Sequence, residues 1–250
     1  MTFWASAPLL LALQWNLPDA VLQWKSEIES KLGGAVTIVQ SAEEAPELAA
    51  YFANPAFQAA LDRAQALTLS LRANGQLRPY ILLNWTRLRQ SPNDPAMLVA
   101  HELGHIWLQS QGFFPPKFSG GADACLAIHS GDVVQHEYIR REMDRRGLDW
   151  RSGYQLDYEA SLAAARLADR VPAGDACLRA QRLSLMMDLR LGFAAAANPW
   201  RNEYLALLGS QDPAAEALSI ELAESLPEDY EEALAKVRAA VIGLVARPLD

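Results

Sequence analysis

The sequence predicts an α+β fold that is mostly α-helical, with a small sheet in its first half and an all-helical second half. Two short runs, 35–39 and 80–83, have the apolar and β-branched composition of buried strands. From Asp94 onward, apolar residues recur at helical spacing almost without interruption. The chain has 250 residues, 51% of them hydrophobic, which is enough to bury a large core.

Two further helices are predicted in the first half. Residues 18–32 place their apolar side chains on one helical stripe, which ends at a pair of glycines. Residues 57–71 also keep helical spacing, and Asn74-Gly75 ends that segment. We therefore expect a helix to connect the two strands, which gives a two-stranded sheet backed by helices.

Six helices are predicted from Asp94 onward. They span 95–111, 132–146, 156–170, 175–197, 213–226 and 228–245. The breaks between these segments are loops, and none is a long polar linker of the kind that separates domains. We therefore expect residues 1–150 to form a core and residues 151–250 to form a helical extension packed on it, within one continuous domain.

Charge and composition exclude several classes of partner. The chain has 22 Lys and Arg against 30 Asp and Glu, and the formal net charge of −8 repels nucleic acid and anionic lipid surfaces. No apolar run is long enough for a membrane span. We expect a cytoplasmic protein with neither nucleic acid nor a membrane as partner. An N-terminal export signal is the weaker alternative, because the apolar stretch near the N-terminus lacks a basic start.

Cys125 and Cys177 permit one disulfide at most, and we interpret them as two separate, small buried side chains.

One segment has a chemically specific pattern, His-Glu-x-x-His at residues 101–105. Asp94 is a suitable helix N-cap and Pro95 suits the first helical turn, so the pattern lies inside a helix. His101 and His105 differ by about 40° around the helix axis. Both imidazoles can therefore reach one tetrahedral metal ion.

Glu102 lies about 100° round the helix from His101. It is turned too far to be an easy ligand but is near enough to reach a metal-bound water, so its predicted role is that of general base. Apolar residues surround the motif on every side, so the helix is expected to be buried. A divalent cation would supply the charge partner that these buried polar groups need. The alternative is a pair of core histidines satisfied by local hydrogen bonds.

On residues 101–105 the chain resembles the zincin superfamily of zinc metallopeptidases. The resemblance implies a zincin-like core, one zinc ion, a polarised water, and hydrolysis of amide bonds in a peptide or protein substrate. It is specific at residues 101–105 and covers at most residues 95–111 and one later helix, about an eighth of the chain. The metzincin subfamily is excluded, because Leu108 and Gln111 stand where its pattern has Gly and His.

A third protein ligand has to come from outside the motif. On the predicted helix 132–146, His136 shares its face with apolar residues and so is expected to point toward the core. Glu137 lies about 100° round that helix and suits an ion pair with Arg141. We rank His136 first, Glu137 second and Asp132 third; a glutamate ligand would match the gluzincin subfamily.

Other polar side chains near the motif are candidates for stabilising a transition state or supporting a ligand. His129 is predicted in the loop before the helix 132–146. Three tyrosines complete this set, Tyr138, Tyr154 and Tyr158. Asp132 is expected either to accept the second N–H of His136 or to cap the helix.

Two other functions stay open at this stage. One is a non-catalytic or regulatory module that keeps a closed, structural zinc site. The other is a metal-free helical interaction protein, which would suit the C-terminal half. Ligand count distinguishes the first of these from an enzyme, because catalytic zinc sites have three protein ligands and an open position, whereas structural sites have four protein ligands.

Overall fold

A computed structural model confirms a mostly helical α+β fold with a small sheet. It describes residues 17–41, 44–73, 75–89, 94–114, 122–167 and 175–246. The strands in these parts are β1 (Thr37–Val39), β2 (Ala66–Ala73) and β3 (Gln76–Leu83). The helices are α1 (Asp19–Leu32), α2 (Ala49–Phe52), α3 (Pro55–Arg63), α4 (Trp85–Leu88), α5 (Pro95–Ser110), α6 (Ala122–Arg145), α7 (Arg151–Ala165), α8 (Ala176–Gly192), α9 (Pro199–Gln211), α10 (Pro213–Glu224) and α11 (Tyr230–Val245). None of these helices is both long and apolar enough to cross a membrane. The apolar stretch near the N-terminus lies outside the described residues.

The sheet has its strands in the order β1-β3-β2. β1 pairs parallel to β3, with Ile38 opposite Ile81, and β2 pairs antiparallel to β3, with Thr68 opposite Ile81. Gly75 lies between β2 and β3 at φ 79°, a left-handed conformation that glycine adopts at little cost in a tight turn. β2 is thus an edge strand of the described sheet.

The prediction of one helix over 57–71 is wrong in its second half. The helix ends at Arg63 and a strand begins at Ala66, so the sheet has three strands rather than two. Leucines there alternate with Thr68 and Ser70, which is the period of two of a half-buried strand. Leucines four residues apart satisfy both the helical and the strand period, and pairing with β3 decides for the strand.

Several helix boundaries in the second half also differ from prediction. α6 begins at Ala122 rather than at 132, so His129 lies within the helix and not in a loop, and Asp132 is an interior residue and not an N-cap. Ser130 and Gly131 are weak helix formers, but both are buried, and tertiary packing outweighs local propensity.

Two smaller corrections concern the ends of neighbouring helices. α7 begins at Arg151 instead of 156, and α8 ends at Gly192 instead of 197. α9 occupies a segment that was predicted to be a loop, and it begins with proline in its first turn.

α5 lies in the interior, as predicted for the helix with the motif. It packs against α1, α6, β2 and β3. Asp94 caps it, because its carboxylate accepts a hydrogen bond from the Ala96 N–H at 2.9 Å. Close to the motif, α5 approaches α6 so tightly that a Cβ added to Gly104 would lie within 2.8 Å of Ile139 Cγ1.

α6 and α8 pack side by side and are joined by a disulfide. Cys125 and Cys177, 52 residues apart in sequence, are bonded with their Cα atoms 5.6 Å apart. Our interpretation of two separate cysteines is therefore wrong, because helix packing brings together residues that no local pattern relates. Further along the same two helices, Arg140 donates to Asp188 at 2.9 Å, so the two helices run parallel.

Candidate metal centre

Three imidazoles meet where α5 packs on α6. His101 and His105 extend from α5, and His136 extends from α6. The ring centroids are 5.0 Å apart for His101 and His105, 4.9 Å for His101 and His136, and 5.5 Å for His105 and His136. One ring nitrogen of each histidine lies within 4.8 Å of the other two. Nitrogens that share a tetrahedral zinc ion lie about 3.4 Å apart, so small side-chain rotations bring these three into that geometry.

Outer partners orient the two histidines of α5. The Nδ1 atom of His105 lies 2.9 Å from the carbonyl oxygen of the Gln135 side chain, which can only accept, so Nδ1 donates. The Nδ1 atom of His101 lies 2.7 Å from the Tyr154 hydroxyl. With each Nδ1 occupied in this way, Nε2 is the nitrogen left free on both rings.

A buried ionic network lies behind His136. Its Nδ1 atom is 3.9 Å from one carboxylate oxygen of Asp188, whose other oxygen accepts the hydrogen bond from Arg140. The Tyr158 hydroxyl is 3.5 Å from Asp188. Burial acts to raise the pKa of Asp188, but Arg140 and His136 together outweigh it and hold that pKa below its ordinary value. Asp188 therefore stays charged beside His136.

Burial keeps the histidines of α5 neutral. It lowers the pKa of His101 well below its ordinary value, with nearby imidazoles adding to the effect. Burial likewise lowers the pKa of His105 to about 3. Neutral imidazole is the form that offers a lone pair to a metal ion.

Glu102 is buried beside these rings, with 7% of its surface exposed. Its Oε2 atom accepts a hydrogen bond of 2.6 Å from the Thr68 hydroxyl on β2. Burial raises the pKa of Glu102 to about 7, against the lowering effect of the Thr68 hydrogen bond. The carboxyl group is thus held in one orientation by the edge strand of the sheet.

A cleft of about 230 Å³ opens on one side of the cluster, and both His101 and Glu102 line it. Its walls come from the start of β2, from the first half of α5 and from α7, including Tyr154. A second cavity of about 420 Å³ shares Asp94, Met97 and Gly153 with it. A ligand in the cleft can therefore reach the buried carboxyl group.

The other candidate ligands lie elsewhere on α6. Glu137 accepts a hydrogen bond from Arg141 at 2.7 Å, the ion pair considered for it from the sequence. Asp132 is largely buried, which raises its pKa, and His136 and His129 are nearby. Among the described residues, neither carboxylate belongs to the group of converging ligand atoms, which has three members.

The remaining polar candidates occupy different places. Tyr154 touches His101, and Tyr158 touches the Asp188 network. Tyr138 donates to the backbone carbonyl of Glu228, and His129 lies beside the disulfide.

Sequence reasoning missed the contributions of Thr68, Gln135, Arg140 and Asp188. Thr68 was assigned to a helix, which hid its alternation with leucines. Asp188 interrupts an apolar helical stretch, Leu185-Met186-Met187-Asp188-Leu189, and a charged residue in such a stretch is a signal of a buried ion pair. Its partner lies on another helix, and so the sequence does not reveal it.

Comparisons of the chain with protein-family models, with curated proteins and with solved structures found no match.

Proposed function

We propose that the protein is a zinc-dependent metallopeptidase that hydrolyses peptide bonds. The observation that supports this most directly is the convergence of three imidazoles, from His101, His105 and His136, with the carboxyl group of Glu102 buried at the wall of a cleft beside them. Three protein ligands together with a neighbouring carboxylate are typical of catalytic zinc sites.

The donor set suits zinc. Neutral imidazole is a preferred zinc ligand, and an outer hydrogen-bond partner at Nδ1 is the usual way to orient it. His101 and His105 have such partners in Tyr154 and Gln135. When bound, zinc would supply polarisation of a water molecule and of the substrate carbonyl.

Glu102 is the residue that moves the proton. Its Oε2 atom is engaged by Thr68, so Oε1 is the oxygen that takes a proton from the attacking water. The same carboxyl group then returns the proton to the amine nitrogen that leaves when the peptide bond breaks. The cleft lined by Glu102 gives the scissile bond of a substrate access to this carboxyl group.

The two alternative functions find less support. A closed structural zinc site needs a fourth protein ligand, and the cluster has three members among the described residues. A metal-free interaction protein would leave ring nitrogens of three histidines, two of them kept neutral by burial, facing one another with no ion between them, an arrangement that buried polar groups avoid.

Replacement of Glu102 by glutamine tests the proposal. We expect Glu102→Gln to keep about one zinc per chain and to lower peptide hydrolysis by about 10²- to 10⁴-fold, because the amide keeps the size of the side chain but takes no proton. Hydrolysis is measured with a quenched fluorescent peptide library, and zinc by elemental analysis.

Glu137→Gln is the matched control for that experiment. It makes the same chemical change on α6, outside the histidine cluster, and should leave both zinc content and activity near those of the unmodified protein. A Glu102→Gln protein that hydrolyses peptides within a few-fold of the unmodified rate would overturn the assignment of the base. Absence of tightly bound zinc in both proteins would overturn the metal assignment.

A further inference from the structure

A second group of metal-ligating side chains lies at the other end of the α6 and α8 pair. Cys125 and His129 are one turn apart on α6, and Cys177 faces them from the start of α8. The two sulfur atoms and one ring nitrogen of His129 all lie within 4.8 Å of one another. This group is separate from the three histidines described above.

The imidazole of this group has no role in the disulfide. A disulfide is complete without a third side chain, yet His129 is held beside the two sulfurs. Within the parts of the chain that the structure describes, its ring makes no hydrogen bond, and Asp132 is the charged neighbour that acts on it. Cys177 is exposed, so a reductant and a metal ion both have access to the group.

We propose that Cys125, His129 and Cys177 form a second metal site, which binds zinc when the disulfide is reduced. A thiol or phosphine reductant delivers two electrons to the S–S bond and is itself oxidised, which leaves two thiols. Each thiol loses its proton as its sulfur bonds to zinc, neutral His129 adds a nitrogen, and water completes four-fold coordination.

The backbone geometry suits both states of the cysteines. Two sulfurs bound to one tetrahedral zinc ion lie about 3.8 Å apart. Cysteines with Cα atoms 5.6 Å apart reach that separation by rotation about their Cα–Cβ bonds. His129 is one helical turn from Cys125, the spacing that brings two side chains of a helix to one ion.

The position of the site gives it a structural consequence. Cys125 precedes His136 by 11 residues, and Cys177 precedes Asp188 by 11 residues. Eleven residues are close to three full helical turns, about 16 Å. The cysteines and the contact between His136 and Asp188 thus lie on the same faces of two parallel helices. Zinc held by the reduced group would keep α6 joined to α8 in the register that places Asp188 beside His136.

Cobalt titration of the full-length protein tests the proposal. Cobalt replaces zinc and gives an intense near-ultraviolet charge-transfer band only when thiolates bind it. We expect the protein reduced with a phosphine to take up one equivalent with this band, and the oxidised protein to show no such band. The histidine cluster contains no sulfur, so the result is independent of whether that cluster binds metal or catalyses hydrolysis.

Variants distinguish the contribution of the imidazole to metal binding from that of the thiols. His129→Ala should weaken the cobalt affinity of the reduced protein by at least about tenfold, as expected for loss of one ligand, and Cys125→Ser combined with Cys177→Ser should abolish the band. Ile128→Ala, a neighbouring exposed position on α6, is the matched control and should retain full affinity. No thiolate band in the reduced protein overturns the proposal, and so does equal affinity in the His129→Ala protein.

Circular dichroism of the reduced, metal-free protein shows whether the helices persist. Where they do not, recovery of helicity on adding zinc, dependent on His129, supports the site.

Discussion

At the scale of single residues, Thr68 connects the sheet to the candidate base. Its hydroxyl donates to Glu102 Oε2 at 2.6 Å and so selects one orientation of a buried carboxyl group. Thr68 acts through Glu102, and its contribution is one of positioning.

We expect Thr68→Val to lower the turnover number for peptide hydrolysis by about tenfold or more, because a hydrogen bond to a charged group contributes about 1.5–3 kcal/mol. Zinc content should not change. Thr68→Ser keeps the hydroxyl and should restore most of the activity. Equal turnover by the valine and serine proteins would show that this hydrogen bond does not position the base.

His136 and Glu137 are neighbours in sequence with opposite expected effects on the metal. His136 faces His101 and His105, whereas Glu137 is paired with Arg141. We expect His136→Ala to weaken zinc binding by orders of magnitude and Glu137→Ala to leave it nearly unchanged. Competition with a chromogenic chelator measures both affinities. Loss of zinc from the Glu137→Ala protein alone would instead favour a gluzincin-like ligand set.

At the scale of elements, the close approach of α5 to α6 sets the distance between the histidines of the two helices. Gly104 stands at the point of contact, one residue from His105, and Ile139 occupies the space that a side chain at Gly104 would need. The glycine of the motif is therefore a packing residue, whatever chemistry its neighbours perform.

We expect Gly104→Ala to lower the free energy of unfolding by about 1–3 kcal/mol, the usual cost of overpacking a tight interface. Gly243→Ala on α11 is a suitable control, since among the described residues a Cβ there would meet no atom of another element within 4 Å. That variant should be unchanged or more stable by up to about 1 kcal/mol, because alanine favours helix. Urea denaturation measures both, and a Gly104→Ala protein as stable as the Gly243→Ala protein would contradict the packing argument.

Pairing between elements also explains why the helix predicted over 57–71 is wrong in its second half. Leu67, Leu69 and Leu71 are spaced by two, and the outer pair, four residues apart, also satisfies a helical pattern, so hydrophobic spacing alone did not distinguish strand from helix. The partner strand β3 supplies the hydrogen bonds that β2 needs, and such pairing is a tertiary property.

At the scale of the whole molecule, the candidate site is assembled from both halves of the chain. β2, α5 and α6 contribute Thr68, the motif and His136, whereas α7 and α8 contribute Tyr154 and Asp188. One apolar core cluster likewise extends from α1 to α11. A metal ion bound at the histidines would therefore stabilise the fold, in addition to any role in catalysis.

Metal removal should lower the melting temperature of the oxidised protein. Zinc present at about 1,000 times its dissociation constant stabilises the folded state by about 4 kcal/mol. In a chain of this size that corresponds to a shift of about 8–16 °C. Differential scanning calorimetry with and without a chelator measures the shift, and His105→Ala should show little of it. A melting temperature that does not respond to the chelator would contradict tight metal binding.

The sequence by itself determined the features that depend on neighbours along one helix. The spacing of His101, Glu102 and His105 and the cap at Asp94 follow from helix geometry, which repeats every 3.6 residues whatever surrounds it. The shared face of His136 and Ile139 was also predictable from local periodicity, because residues three apart on a helix lie on one side, and both side chains meet α5.

Only the tertiary structure decided which distant groups meet. Tyr154, Gln135 and Asp188 beside the histidines, the hydrogen bond from Thr68 to Glu102, and the disulfide between α6 and α8 join elements whose sequences have no common pattern. These contacts depend on the packing distance and register of whole helices and strands. Those quantities are set by burial of the complete core, to which each segment contributes only one face.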